Sequence, residues 1–213
     1  MPQLFFILSL VLFQACGKAG SKSPSYVIDQ LPGTTEPEVQ ETYLKIFSSL
    51  SKMNGSLGKD LAQVDGLCQS DATALGLSGT YKAMVTTDKR RACQSADCLK
   101  GGLAENLDWV FSPETEYRLP DGRTIVGKTN ESALLQFPLK NPLSSSSVLL
   151  WTGFSDYWTR PYYNFESCAG LTNVLETGFV GDASAVNADL LKKTSLSGCK
   201  KEFSVICVEQ AIP

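Results

Sequence analysis

Cysteine thiols are the side chains of this sequence whose type and spacing could do chemistry. The 213 residues contain seven cysteines and no histidine. Thiols can be acylated, can pair as disulfides or can bind metal ions, depending on the compartment and on neighbouring ligands. The seven are Cys16, Cys68, Cys93, Cys98, Cys168, Cys199 and Cys207.

The first cysteine, Cys16, directly follows an apolar segment at the start of the sequence. The apolar run over residues 4–13 is about half the length that a membrane-spanning helix needs. Residues 1–15 therefore favour a cleaved export signal of the lipoprotein type over a transmembrane helix. We expect Cys16 to become the first residue of the mature chain and to carry the lipid; the alternative is secretion without a lipid.

The six later cysteines form an even set in a chain that is predicted to be exported. Such thiols are normally paired in an oxidising compartment. Metal coordination is the weaker alternative, because Cys93 and Cys98 are spaced too widely for a zinc knuckle and histidine is absent. The sequence alone does not choose among the pairings that six cysteines permit.

The sequence lacks the arrangements that are typical of catalytic centres. Without histidine there is no Ser–His or Cys–His pair, and neither a Gly-x-Ser-x-Gly motif nor a phosphate-binding glycine loop occurs. We therefore expect no enzymatic activity and no cofactor. Oxygen ligands for calcium could gather from Asp156, Asn164 and Glu166, although polar loop residues of this kind more often only face solvent.

Composition narrows the function further. Apolar residues make up 43% of the chain and charged residues 19%, which is enough apolar material for a packed interior and too little charge for a wholly disordered protein. The formal net charge of -3 argues against binding to nucleic acid or to anionic membrane surfaces as the main function, because both need clustered positive charge.

Changes in composition divide the mature chain into three parts. Residues 16–37 are rich in Gly, Ser, Pro and Thr and predict a flexible tether. Residues 38–56 carry apolar side chains near helical spacing, so we expect a short helical segment there, with its packing against the rest left open. Residues 57–213 form the predicted main domain.

The main domain is predicted to be α+β, with mostly short antiparallel strands and few helices. Residues 64–75 have helical spacing around Cys68, and residues 79–85 alternate like a half-buried strand. Residues 116–126 predict a hairpin, because Asp121-Gly122 suits a tight turn. Residues 149–154 and 202–209 predict core strands.

Two stretches could form a binding surface. The densest aromatic stretch is residues 151–165. Its Trp151 and Phe154 belong to the predicted core, and its other aromatic residues lie in a loop, where exposed rings suit protein or sugar ligands. The second feature is the basic run Lys89-Arg90-Arg91. Its candidate neighbours in space are Lys192, Lys193, Lys200 and Lys201. The candidate surface residues are Tyr157, Trp158, Arg160, Tyr162, Tyr163, Lys89, Arg90 and Arg91.

Several motifs together resemble a known family. A helix with a cysteine runs into a Gly-Thr-aromatic strand over residues 67–83, and Trp151-Thr152-Gly153, Gly198-Cys199 and Ile206-Cys207-Val208-Glu209 follow in order. With residues 101–109, this sequence resembles the endostatin-like domain of leptospiral surface lipoproteins, a domain family of unknown function. The resemblance implies a disulfide-stapled fold of the C-type-lectin-like, endostatin-like type.

The resemblance also implies a disulfide framework. It pairs Cys68 with Cys207, which ties the first helix to the last strand, and Cys168 with Cys199. The two remaining cysteines, Cys93 and Cys98, would then form a local bridge.

The family suggests adhesion as the function. It implies a surface-exposed lipoprotein that is lipid-anchored in the outer membrane of the cell envelope. Such a protein would bind host extracellular matrix proteins such as laminin and fibronectin, plasminogen or complement regulators. Ligand choice resides in loops that vary on a common scaffold. The alternatives are a structural envelope lipoprotein that faces the periplasm, and a calcium-dependent glycan-binding domain.

Overall fold

A computed structural model describes residues 43–57, 60–162, 166–193 and 195–211. All of them belong to one compact unit that spans Glu41–Pro213. The predicted signal (1–15), the lipidated Cys16 and the tether (16–37) lie outside the described residues, as do Tyr163 and Asn164.

The described residues form eight strands and two α-helices. The helices are α1 (Leu61–Ala74) and the short α2 (Cys168–Leu171). The strands are β1 (Tyr43–Ser48), β2 (Tyr81–Met84), β3 (Glu116–Arg118), β4 (Ile125–Lys128), β5 (Leu149–Trp151), β6 (Thr177–Asp182), β7 (Leu196–Gly198) and β8 (Ile206–Glu209).

The strands make two sheets, in agreement with the predicted α+β class. The larger sheet has the order β2-β8-β1-β3-β4 and the smaller one has the order β5-β6-β7. All pairs are antiparallel except β1 with β3, which run parallel from Tyr43 beside Glu116 to Lys45 beside Arg118. Strands from both ends of the domain therefore meet at the centre of the larger sheet.

The larger sheet is buried on both faces at its strands β1 and β8. In β1, Ile46 belongs to one apolar core together with Val208, while Phe47 belongs to a second core together with Cys207. Consecutive residues of a strand point to opposite faces. Ile46 and Phe47 are therefore consecutive apolar residues, instead of one apolar residue alternating with one polar residue.

The prediction of a helix over residues 38–56 was wrong, because residues 43–48 form β1. Its apolar run matched helical spacing by accident, and pairing with β3 and β8 outweighed that local preference. The segment after β1 is also integral, since Met53 pairs with Phe203 and the Gly55 amide donates to Cys199 O at 2.7 Å. The main domain consequently begins before residue 57.

The other predicted elements occur where they were predicted, although the core strands predicted over 149–154 and 202–209 are shorter, at Leu149–Trp151 and Ile206–Glu209. In α1, Asp60 caps the first turn by accepting a hydrogen bond from the Ala62 amide, and Val64, Cys68 and Ala72 line its buried face. The hairpin turn is fixed by Asp121, whose carboxylate accepts hydrogen bonds from the Arg123 and Thr124 amides at 2.8 Å.

Three disulfides cross-link the domain, and two of them join distant parts of the chain. Cys68 is bonded to Cys207, Cys168 to Cys199 and Cys93 to Cys98, which is the pairing that the family resemblance implied. The first links α1 to β8, and the second links α2 to the segment after β7. Gly55 lies against the Cys168–Cys199 bridge so closely that an added Cβ would be 2.6 Å from Cys168 Sγ.

Candidate functional site

Two short turns outside the sheets shape the candidate site. The first turn is Ala96–Cys98. It lies in the loop that the Cys93–Cys98 disulfide closes, and we call it the cysteine turn. Asp97 and Cys98 have positive φ angles of 49° and 56°, a region that residues with side chains rarely adopt. The Cys98 amide donates to Ser95 O at 3.1 Å, so the turn is closed by both a covalent bond and a hydrogen bond.

The carboxylate of Glu105 fixes the same loop from the inside. It accepts hydrogen bonds from the Ser95 hydroxyl at 2.6 Å and from the amides of Ser95, Gln94 and Gly101 at 2.6, 2.7 and 2.7 Å. These bonds, led by those from Ser95, lower the pKa of Glu105 from 4.5 to about 2. Glu105 is therefore a structural anion and is poorly suited to proton transfer near neutral pH.

The second turn, Asp156–Trp158, is called here the aromatic turn. Tyr157 and Trp158 are consecutive bulky residues with positive φ angles of 63° and 58°. Each such residue costs about 1–3 kcal/mol, so the surrounding structure must hold the turn in place. At its base, the Ser155 amide donates to Thr159 O at 2.8 Å, and the hydroxyl groups of the same two residues are 2.6 Å apart.

The indole of Trp158 anchors the aromatic turn in the protein interior. Its ring stacks on Phe137 at a centroid distance of 6.0 Å and meets the ring of Phe154 edge-on at 5.5 Å. Trp109 and Phe111 complete this aromatic cluster at 6.2 Å each. Trp158 is only 4% exposed, whereas the neighbouring Tyr157 is 64% exposed. The strained backbone thus buries the ring of Trp158 and exposes the ring of Tyr157 to solvent.

The cysteine turn and the aromatic turn pack against each other and border an open groove of about 340 Å³. Strained residues tend to occur at functional sites, which makes this groove the strongest candidate among the described residues. One carboxylate and several aromatic faces give it the means to bind a ligand non-covalently. The groove is lined by Asp97, Phe137, Tyr157, Trp158, Ala188 and Leu191.

A larger depression of about 490 Å³ lies beside β1 and β5. Its lining is mainly small or apolar, with Phe203 as the only ring among the described lining residues, and none of these residues has a positive φ angle. Size alone therefore does not make it the better site.

The structure divides the predicted aromatic surface. Tyr157 and Tyr162 are exposed, at 64% and 91%, while Trp151 and Phe154 are fully buried, as expected. The prediction that Trp158 is exposed was wrong, because the aromatic cluster offers its indole more apolar contact than the loop surface does.

The predicted basic surface is also divided, because Arg90 is only 1% exposed. Its guanidinium donates two hydrogen bonds to Asp65, at 2.7 and 2.8 Å, and two to Asp108, at 2.6 and 3.0 Å. A further bond reaches Ala83 O at 2.8 Å. Burial alone would lower the pKa of Arg90, but the hydrogen bonds to Asp65 and Asp108 outweigh it and raise the pKa. Arg90 thus joins α1 to β2 instead of facing a ligand.

Four of the other predicted cations have partners within the domain. Arg91 donates to Glu105 O at 3.1 Å, and Arg160 forms an ion pair with Asp88. Lys193 donates to Asp182 at 2.8 Å, and Lys192 lies over the ring of Phe179. Lys89 is exposed. The basic run therefore does not form one continuous surface.

Four groove residues were not predicted from the sequence, namely Asp97, Phe137, Ala188 and Leu191. They come from three separate segments, and only the tertiary packing brings them beside Tyr157 and Trp158. The position of Asp97 inside a small loop closed by two cysteines was the one available signal, since short cross-linked loops often present residues to a partner.

The described residues contain no cluster of His, Cys, Asp and Glu that could hold a metal ion. Of the candidate calcium ligands, Asn164 lies outside the described residues. Nor does any described helix have the length and apolar character required to cross a bilayer.

A family model with the description "protein of unknown function (DUF1554)" matches residues 51–188, which is more than half of the chain. The chain belongs to this family. The DUF1554 region contains both turns and every groove residue except Leu191. No curated protein matches the sequence.

Proposed function

We propose that this DUF1554 protein is a non-enzymatic binding module. The groove between the cysteine turn and the aromatic turn carries the proposal, because strained backbone there presents an aromatic ring to solvent on a rigid, cross-linked base. Rigid presentation favours binding, since little conformational entropy is lost when the partner docks. The described lining of the groove contains no Ser, Thr, Cys, Lys or His that could act as a nucleophile.

The proposed partners are host extracellular matrix proteins, plasminogen or complement regulators, which the resemblance to leptospiral surface lipoproteins suggests. We propose that a lipid on Cys16 anchors the chain in the cell envelope, with the domain exposed at the outer membrane surface. An acylated amino terminus with more than one chain would bind a membrane stably.

We also propose that the domain has a C-type-lectin-like, endostatin-like fold. The disulfide between α1 and β8 brings the two ends of the domain together, and the loops between them carry the groove. This arrangement supports a scaffold that varies its ligand through its loops.

Intact cells that express the full-length chain provide the test. We expect added protease to cleave the protein on intact cells, and the cells to attach to immobilised laminin, fibronectin or plasminogen more than cells without it. A Cys16→Ala variant, which cannot be lipidated, should abolish attachment. Protection from protease would instead favour the periplasm-facing structural protein, and retention on a glycan array only with calcium would favour the lectin alternative.

A further inference from the structure

Asp97 lies at the edge of the groove with its carboxylate exposed. Within the part of the chain that the structure describes, no hydrogen bond or ion pair engages this side chain. Several acidic residues elsewhere in the domain are neutralised: Asp88 pairs with Arg160, Asp108 with Arg90 and Lys82, and Asp182 with Lys193. The charge of Asp97 therefore remains available to a ligand.

Aromatic rings line the same groove as this carboxylate. The ring of Tyr157 is largely exposed and takes part in no ring contact with a described residue, and Phe137 is half-buried where it stacks on Trp158. The faces of aromatic rings carry negative electrostatic potential and attract cations. A carboxylate and aromatic faces that line one groove both favour a positively charged ligand.

The groove also lacks a cation of its own. None of its described lining residues is Lys or Arg, and the nearest basic residue in sequence to the aromatic turn, Arg160, is engaged by Asp88. A positively charged group that entered would not displace an internal partner from Asp97.

From these observations we propose that the groove binds a basic side chain, the ammonium of lysine or the guanidinium of arginine, on a protein partner. Both groups can donate hydrogen bonds to Asp97 while lying against the ring of Tyr157. A quaternary ammonium would gain the ring contact but has no hydrogen to donate to the carboxylate. The inference rests on the proposed function, because it names the chemistry that the same groove recognises.

The test measures binding of Nα-acetyl-lysine amide to the purified full-length lipoprotein in detergent micelles, by calorimetry. Nα-acetyl-norleucine amide serves as the neutral isostere and tetramethylammonium as the quaternary cation. We expect saturable binding of the lysine compound at millimolar concentration, weaker at high salt, and little binding of the other two.

Two variants locate the binding. Asp97→Asn should weaken it by about tenfold, because a charge-assisted hydrogen bond is lost while asparagine tolerates the same left-handed backbone. Tyr157→Asn should weaken it by about threefold through loss of the ring. Asp189→Asn is the matched control, since Asp189 is an exposed acid next to Ala188 that does not line the groove, and it should leave binding unchanged.

Equal binding of norleucine and lysine compounds, preferential binding of tetramethylammonium, or unchanged binding by Asp97→Asn would each overturn the inference. Unchanged thermal unfolding of the variants shows that they are folded. If cells that carry Asp97→Asn still attach to matrix proteins, the groove assignment fails while the proposed function stands. If the lysine compound binds as expected but the cells attach to nothing, the proposed function fails instead.

Discussion

Arg90 lies between Lys89 and Arg91 in a run of three basic residues, yet its surroundings differ from theirs. Lys89 is exposed, whereas the guanidinium of Arg90 is enclosed by Asp65 on α1, Asp108 and the Ala83 carbonyl. A buried charge of this kind needs its partners, because removal of one partner leaves the others desolvated and unpaired.

We predict that Arg90→Ala lowers the free energy of unfolding by about 3 kcal/mol. The lower end of the range for buried pairs applies, because Asp65 and Asp108 retain some exposure to solvent. Lys89→Ala is the matched control and should change the free energy by less than about 0.5 kcal/mol. Urea denaturation measures both, and similar values for the two variants would contradict the role of Arg90.

The pKa of Glu105 predicts a pH dependence. Its folded value of about 2 lies below the ordinary 4.5, so the ionised carboxylate stabilises the folded state. That contribution is complete above about pH 5 and is lost as the pH falls through 4.5 towards 2. The difference in unfolding free energy between the wild type and Glu105→Gln should therefore shrink over this interval. A constant difference from pH 7 to pH 3 would show that Glu105 does not stabilise the folded state through its charge.

At the scale of elements, β1 is the segment whose structure differs most from its prediction. Ile46 is fully buried at the centre of the larger sheet, while Leu50, just after the strand, is 59% exposed. In a surface helix, residues four positions apart lie on the same face, so Ile46 and Leu50 would be buried to a similar extent.

We expect Ile46→Ala to lower the free energy of unfolding by about 3–4 kcal/mol, because it leaves a cavity in a packed core. Leu50→Ala removes a side chain of similar size from the surface and should cost less than about 0.5 kcal/mol. Chemical denaturation of the two variants measures the difference. Equal losses would mean that residues 43–48 do not form a central strand.

Local signals were sufficient for some elements and insufficient for others. Asp121-Gly122 predicted its hairpin, and the spacing around Cys68 predicted α1, because the decisive contacts lie within a few residues in the sequence. The structure of β1 depends on β3 and β8, which lie far along the chain. Trp158 and Asp97 likewise gain their roles from loops that meet only in the folded domain. Periodicity contains no information about such partners.

For the whole molecule, the length of chain enclosed by each disulfide orders their contributions. The two cysteines of each bridge lie 139 positions apart for Cys68–Cys207, 31 for Cys168–Cys199 and 5 for Cys93–Cys98. In the chain-entropy model they restrict the unfolded state by about 5, 4 and 2 kcal/mol respectively. The bridge between the two ends of the domain should matter most for stability.

Paired replacement of cysteines by alanine tests this order. We predict that Cys68→Ala with Cys207→Ala lowers the thermal unfolding temperature the most, and that Cys93→Ala with Cys98→Ala lowers it the least. The second variant should nevertheless weaken binding at the groove, because Asp97 loses its cross-linked support. A greater loss of stability from the small loop than from the outer bridge would contradict the model.

An exported domain can present its loops on a rigid scaffold only if its disulfides form in the cell. Alkylation of the denatured, unreduced protein from cells, followed by mass spectrometry, tests this most directly. We predict that Cys68, Cys93, Cys98, Cys168, Cys199 and Cys207 remain unmodified and that peptides of Cys68 and Cys207 are joined. Modification of all six thiols would show that the domain does not fold in an oxidising compartment, and would contradict both the scaffold and its proposed location.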